Sequence, residues 1–415
     1  MSLRKSVLEM LSGSAGAQVV SVIMSLVLAR LFEPEVFGML AFFIGFSTVC
    51  TVLSTWRFEL ATVHTQNKSE LRAVFQLGAI AVLISAFIVT LIIMPVSIKM
   101  ASLSGFKSFS WMGFLPVFVF SGGLSIIATY FLVAKEDFTT ISKSKPIIPF
   151  LSGIFSITIS IISRNAWVLI AGLVSANIIN MLYLLYRCYL IDNKVLTKNI
   201  RYRRLRYTWK RYIDFPKYSL PGAGANILSS QINNIFLGVL FTPKILGYYF
   251  MAQKIVGIPA RLIGDSYSKI YYNEASKQRK ETGHAEAIFK KSVPVLFLIA
   301  ICFGLLFFFF GDTFFMLVFG EKWQLAGLYA KLLLPLFCIY IFVSPITPSF
   351  SAFEKQKLAL VFQLSLLVGS SLLLTLEWLI NWDIYTFIII YSNSMALIYL
   401  AFLGLMWKIV KKKER

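Results

Sequence analysis

The chain has 415 residues, of which 58% are hydrophobic and only 14% charged. Soluble domains average roughly 45–50% apolar and about 25% charged residues, so a soluble globular fold is excluded. The net charge of +21 would point to nucleic acid in a soluble protein, but here its placement along the chain decides its meaning.

Apolar runs long enough to cross a bilayer lie near residues 12–32, 36–56, 73–95, 110–133, 147–163 and 166–187. A second set lies near 219–241, 245–265, 292–311, 328–350, 358–379 and 384–407. Most are longer than barrel strands and none alternates strictly, so the expectation is an all-α integral membrane protein of about twelve helices. The opening stretch, MSLRKSVLEMLSGSAGAQVV, has no small-residue cleavage site after a short apolar core and reads as the first span.

Basic residues orient the spans. With the N-terminus inside, 31 of the 40 Lys and Arg fall in inner segments and five (Lys99, Lys107, Arg164, Lys244 and Lys322) in outer ones. That bias places both termini in the cytoplasm. Four cations remain within spans: Arg30, Lys254, Arg261 and Lys331. The connector RYRRLRYTWKRY interleaves arginine with aromatics, a pattern also seen in RNA binders. Between two membrane bundles it reads as a cationic segment lying on anionic lipid head groups, with no nucleic-acid partner.

The chain also repeats itself. LSGSAGA begins at Leu11 and LPGAGAN at Leu220; LFEPEVFG begins at Leu31 and LFTPKILG at Leu240. Both pairs are offset by 209 residues, so six helices per half enter the membrane in the same sense. Parallel repeats of this kind characterise one class of secondary transporter. The expected organisation is a six-helix bundle at 1–190, a basic cytoplasmic connector at 191–217, and a second six-helix bundle at 218–415.

Three features now carry a resemblance: a first helix ending in LARLFEPEVFG, the stretch WRFELATV at 56–63, and the 6+6 arrangement over the whole chain. Together they resemble the polysaccharide-export branch of the multidrug/oligosaccharidyl-lipid/polysaccharide (MOP) exporter superfamily, the Wzx-type O-antigen flippases. The resemblance implies a flippase of the bacterial inner membrane that moves an undecaprenyl-pyrophosphate-linked oligosaccharide to the periplasmic leaflet. It further implies a polysaccharide polymerase and a chain-length regulator as partners, beside the membrane lipids. Related lipid-carrier flippases place basic residues where Arg30 and Lys254 stand here.

Charges inside a membrane are costly and mark function by default. On the eighth span Arg261 falls 20° to one side of Lys254 and Asp265 20° to the other, so the three share one stripe. Lys254, Arg30 and Arg261 are therefore candidates for a cationic cavity wall that attracts a pyrophosphate. Arg261 and Asp265, spaced i,i+4, have the alternative of pairing with each other. Arg57, Glu59 and Asp265 are candidates for a gate or an ion pair. Asn226, Asn233, Asn234 and Gln18 offer polar faces that suit sugar hydroxyls or, equally, helix packing.

The four cysteines (Cys50, Cys188, Cys302 and Cys338) and two histidines (His64 and His284) show no disulfide, metal or cofactor spacing. No catalytic residues are assigned, no Walker motif occurs, and GAGAN at 222–226 completes no dinucleotide fingerprint. Transport without a cofactor is expected rather than enzymatic activity. The competing function is a cation-coupled small-molecule or multidrug exporter of the same fold. Against it, the first span lacks the acidic residue that proton-coupled multidrug members often carry there.

Overall fold

A computed structural model describes residues 3–65, 67–103, 110–197 and 202–412. Every regular element among them is helical. The chain divides into two compact units, residues 1–243 and 244–415.

The first unit contains α1 (Leu3–Leu31), α2 (Pro34–Ser54), α3 (Lys68–Leu103), α4 (Leu115–Ala134), α5 (Phe138–Ser144), α6 (Ile147–Ile159) and α7 (Ala166–Ile191). It continues through α8 (Lys194–Thr197), the connector helix α9 (Tyr202–Tyr212) and α10 (Leu220–Leu240). Its core joins α3, α4, α5, α7 and α8 through Phe75, Val82, Phe131, Leu184 and Val195. Small residues let these helices approach, as in other membrane bundles. A side chain on Gly123 of α4 would lie 2.6 Å from Ser54 Oγ of α2. Gly45 of α2 likewise admits Ile235 of α10, whose Cγ1 stands 3.0 Å from the missing Cβ.

The second unit holds α11 (Pro243–Thr282), α12 (Glu286–Phe319), α13 (Gln324–Leu332), α14 (Leu334–Val343), α15 (Ser349–Ala352), α16 (Gln356–Ile380) and α17 (Ile384–Lys411). α12, α14 and α17 pack together, with Leu296, Phe303, Ile341 and Phe402 buried. Phe308, Phe309, Phe310 and Leu317 of α12 stay exposed, as a lipid-facing helix requires.

Nine helices among the described residues are long and apolar enough to cross a membrane by length and composition. The three other expected spans fall on α6, α10 and α11. α6 has only 13 residues, α10 carries a run of amides and hydroxyls, and α11 carries Lys254 and Arg261. The polar helices are thus the ones singled out for function.

The repeated turn has the same build in both places. α1 ends at Leu31 and Pro34 opens α2; α10 ends at Leu240 and Pro243 opens α11. Phe32 N donates to Leu28 O at 2.9 Å and Phe241 N to Leu237 O at 3.0 Å. Proline at the first helical position forfeits only an amide that would have had no helical partner.

Candidate functional site

In the second unit, α11 runs from Pro243 to Thr282 with Pro259 inside it. Proline has no N–H, so the carbonyl of Ile255 loses its helical partner at that point. Lys254 is half-buried, whereas Arg261 and Asp265 are exposed. The Arg261 charge acts on Lys254 from two turns away. Two like charges on one face of a helix favour an anion between or beside them. Arg261 folds back along α11 past Gly257, with Nη1 3.0 Å from where a Cβ would stand and the Phe337 ring close by. No ion pair joins Arg261 to Asp265 among the described residues. Asp265 instead lines a cavity of ≈ 750 Å³ together with residues of α16 and the α14–α15 turn.

In the first unit, Arg30 ends α1 and is exposed; Gln18 lies three turns earlier, half-buried, with a buried Oε1 that has no partner among the described residues. On α10, Asn226 is exposed while Asn233 and Asn234 are buried against α2. Asn234 Nδ2 donates to Gln231 Oε1 at 3.1 Å, but its own Oδ1 finds no partner among the described residues. A buried amide oxygen left without a donor costs about 1–3 kcal/mol, and a hydroxyl donor would relieve it.

The stretch WRFE forms a strained turn below α2. Trp56 and Arg57 both have positive φ, 49° and 62°, although neither is glycine or asparagine. The Trp56 indole donates to Ser85 Oγ at 3.0 Å and packs edge-on against Trp209 of α9, which also touches Phe58. A 3-10 helix, Phe58–His64, follows. Arg57 Nη1 lies 3.0 Å from Glu59 Oε1, and Glu59 is 1% exposed. Burial pushes the Glu59 carboxyl above its ordinary range, against the hydrogen bond from Thr55 and the Arg57 charge. Glu59 Oε2 and Arg57 Nε are buried without partners among the described residues.

The inner edge of this unit is further tied by ion pairs that only the folded chain creates. Arg72 of α3 grips Asp192, just beyond α7, with two bonds of 2.8 and 2.7 Å, and Arg187 meets Asp137 at 3.1 Å. The Arg72 hydrogen bond holds the Asp192 carboxyl below its usual range. For Asp137, burial opposes the shift, yet hydrogen bonds from Thr140 and Arg187 outweigh it and hold the carboxyl low. α9 is clamped by Arg211 to Glu70 at 2.7 Å and by the Tyr212 hydroxyl to the same carboxylate at 3.1 Å. Leu205, Trp209 and Tyr212 pack inward while Arg203, Arg206 and Lys210 stay exposed, so the connector is amphipathic with its cations outward.

Two further charges in the second unit escaped sequence reasoning. Lys331, one of the four cations within spans, forms an ion pair with Asp312 across the α12–α13 contact. A side chain on Gly327 would stand 2.7 Å from Asp312 Cα, so the two helices touch there through backbone. Glu377, near the end of α16, is only 3% exposed, and its Oε2 has no partner among the described residues. No cluster of three or more His, Cys, Asp or Glu suited to a metal occurs among the described residues.

Residues 27–326 match the family described as polysaccharide biosynthesis protein. The chain belongs to that family. Its fold is that of the MOP exporter superfamily. The structure titled lipid II flippase MurJ, inward closed conformation, aligns with a TM-score of 0.68 at 14% identity, covering 95% of this chain and 86% of that one. A MATE structure in complex with MaL6 aligns at 0.62 with 12% identity, covering 97% and 93%. A MOP superfamily transporter from Pyrococcus furiosus aligns at 0.56 with 13% identity, covering 98% and 96%. Comparison with curated protein sequences gives no match. This member of the polysaccharide biosynthesis family is therefore an all-helical, multi-pass membrane protein with a transporter fold, as the composition and repeat anticipate.

Proposed function

We propose that the protein is a flippase that carries an undecaprenyl-pyrophosphate-linked oligosaccharide across the bacterial inner membrane by alternating access. The observation that carries this reading is the Lys254–Arg261 stripe, two cations on one face of α11 in a chain of the polysaccharide biosynthesis family. A pyrophosphate offers anionic oxygens to such a stripe, and its polyprenyl chain remains in lipid. Arg30, at the matching end of the first helix, would add a third cation. The polar faces of Gln18, Asn226, Asn233 and Asn234 would receive sugar hydroxyls, and the Arg57–Glu59 turn would act as a hinge or gate. The 209-residue offset makes 1–190 and 218–415 two related halves, joined by the basic connector 191–217. A polysaccharide polymerase and a chain-length regulator would take up the product on the far side.

The cation-coupled small-molecule exporter shares the fold with the MATE structures. The acid-free first span argues against it, because no Asp or Glu lies in 12–32 to carry a coupling proton there. Deleting the gene should accumulate lipid-linked repeat units on the cytoplasmic side and abolish surface polysaccharide. Unchanged surface polysaccharide in a strain with no redundant flippase would overturn the reading.

A further inference from the structure

The ≈ 750 Å³ cavity of the second unit has a composition that the cationic stripe does not explain. Its first wall is one face of α11: Asp265, Ser268, Lys269 and Tyr272 stand at i, i+3, i+4 and i+7. A second wall comes from the α14–α15 turn, through Thr347 and Ser351, and the third from α16, through Phe362 and Gln363. The volume lies within the range of about 300–1,000 Å³ typical of ligand sites, and a few polar groups converge on it beside aromatic surface.

Two details make this a site rather than a gap between helices. Asp265 and Lys269 have the spacing at which opposite charges on a helix normally pair, yet no ion pair joins them or engages either one elsewhere among the described residues. Both charges are exposed and both line the cavity. Tyr272, 44% exposed, also lines the cavity and brings a flat aromatic ring among hydrogen-bonding groups. The walls are also held in place. Tyr271 and Ser349 share a 2.8 Å hydrogen bond, and Arg279 donates to Ala352 O at 2.7 Å, tying α11 to α15.

The charge balance identifies the ligand class. One carboxylate and one ammonium leave the cavity neutral, so it has no net attraction for a pyrophosphate. Carboxylate, amide and hydroxyl groups beside an exposed ring match a neutral, hydroxyl-rich ring: the carboxylate accepts from hydroxyls, Lys269 and Gln363 donate, and Tyr272 covers a C–H face. We propose that this cavity binds a sugar residue of the cargo, while the cations at Lys254 and Arg261 hold its pyrophosphate. The proposal rests on the flippase reading and adds to it a separate glycan-recognition site. Asp265 lies eleven residues beyond Lys254 on one helix, about 16 Å along its axis, which separates head group from sugar in the order the cargo presents them.

The test uses the full-length protein in nanodiscs and two probes: undecaprenyl-pyrophosphate-linked saccharide extracted from the producing bacterium, and undecaprenyl pyrophosphate without sugar. Wild type should bind the sugar-bearing lipid more tightly. Tyr272→Ala and Gln363→Ala should each weaken the sugar-bearing lipid about tenfold, the worth of one or two lost contacts, and leave the sugar-free carrier within about twofold. Lys254→Ala should weaken both. Asp265→Asn, which keeps the side chain's shape, provides a further variant if a truncation fails to fold. Equal loss for both probes, or no loss for either, overturns the glycan site. If wild type binds the two probes equally, the cavity is not a sugar reader, while the flippase reading stands. If wild type binds neither, the flippase reading falls and the glycan site with it.

Discussion

The inner edge of the first unit and the inner half of α11 in the second are both rich in charge, but they use it in opposite ways. In the first unit four carboxylates have found a cation: Asp192 with Arg72, Asp137 with Arg187, Glu70 with Arg211, Glu59 with Arg57. Along α11, Arg261, Asp265 and Lys269 share no ion pair among the described residues although their spacing invites one. Paired charges that bridge separate elements fix a structure; charges left open on a face await a ligand. The difference separates a scaffold from the proposed working surface within one charge class.

Four experiments would break or sharpen this contrast. The largest effect should come from Asp192→Ala, which leaves the Arg72 guanidinium facing nothing. Removing one partner of a largely buried, two-bonded pair should cost about 3 kcal/mol in thermal or denaturant unfolding of the detergent-solubilised protein. Lys254→Ala should reverse the pattern. Its melting should stay near wild type while export of lipid-linked saccharide falls at least about tenfold, or about 1.4 kcal/mol of binding. Wild-type export by a normally expressed Lys254→Ala protein would remove Lys254 from the working surface.

Acidity gives a third test, with opposite signs at two ion-paired carboxylates. The Asp192 carboxyl is held low, so its stabilising share is present above the ordinary aspartate range and is lost as pH falls through its folded value. Glu59 is held high by burial, so its share is full below the ordinary glutamate range and is lost as pH rises through its folded value. Glu59→Gln should therefore flatten the loss of stability on the alkaline side of that range and leave the acid limb intact. An unchanged pH profile would show that Glu59 does not titrate there. The smallest effect is expected at Glu377, whose Oε2 has no partner among the described residues; Glu377→Gln should shift stability by no more than about 1 kcal/mol, in the stabilising direction.

Much of this was readable from the chain because a membrane enforces simple rules. Apolar length announced the helices, and the 209-residue offset announced the equivalent turns at Pro34 and Pro243. The basic connector was expected on lipid; folding adds that its aromatic side grips the protein through Trp209 and Tyr212. The pairings were not legible, since they join residues far apart in sequence. Asp312 meets Lys331, and Arg72 meets Asp192, only once helices have packed. The left-handed turn at Trp56 and Arg57 carries no glycine or asparagine to signal it, and indole packing supports it instead. The cavity beside Asp265 draws on three separate stretches, of which only Asp265 was marked beforehand.

α11 has 40 residues, a rod of about 60 Å. Pro259 sits near its middle and removes one rung of the hydrogen-bond ladder, the ordinary cause of bending in a long helix. From Pro259 to Thr282 the arm is about 35 Å, so a bend of about 10° at the proline would swing its tip by roughly 6 Å. Through the Arg279–Ala352 bond that swing would carry α15 with it, while Lys254, on the far side of the proline, could remain still. Such a lever would turn a small change at membrane depth into a large opening at the water's edge.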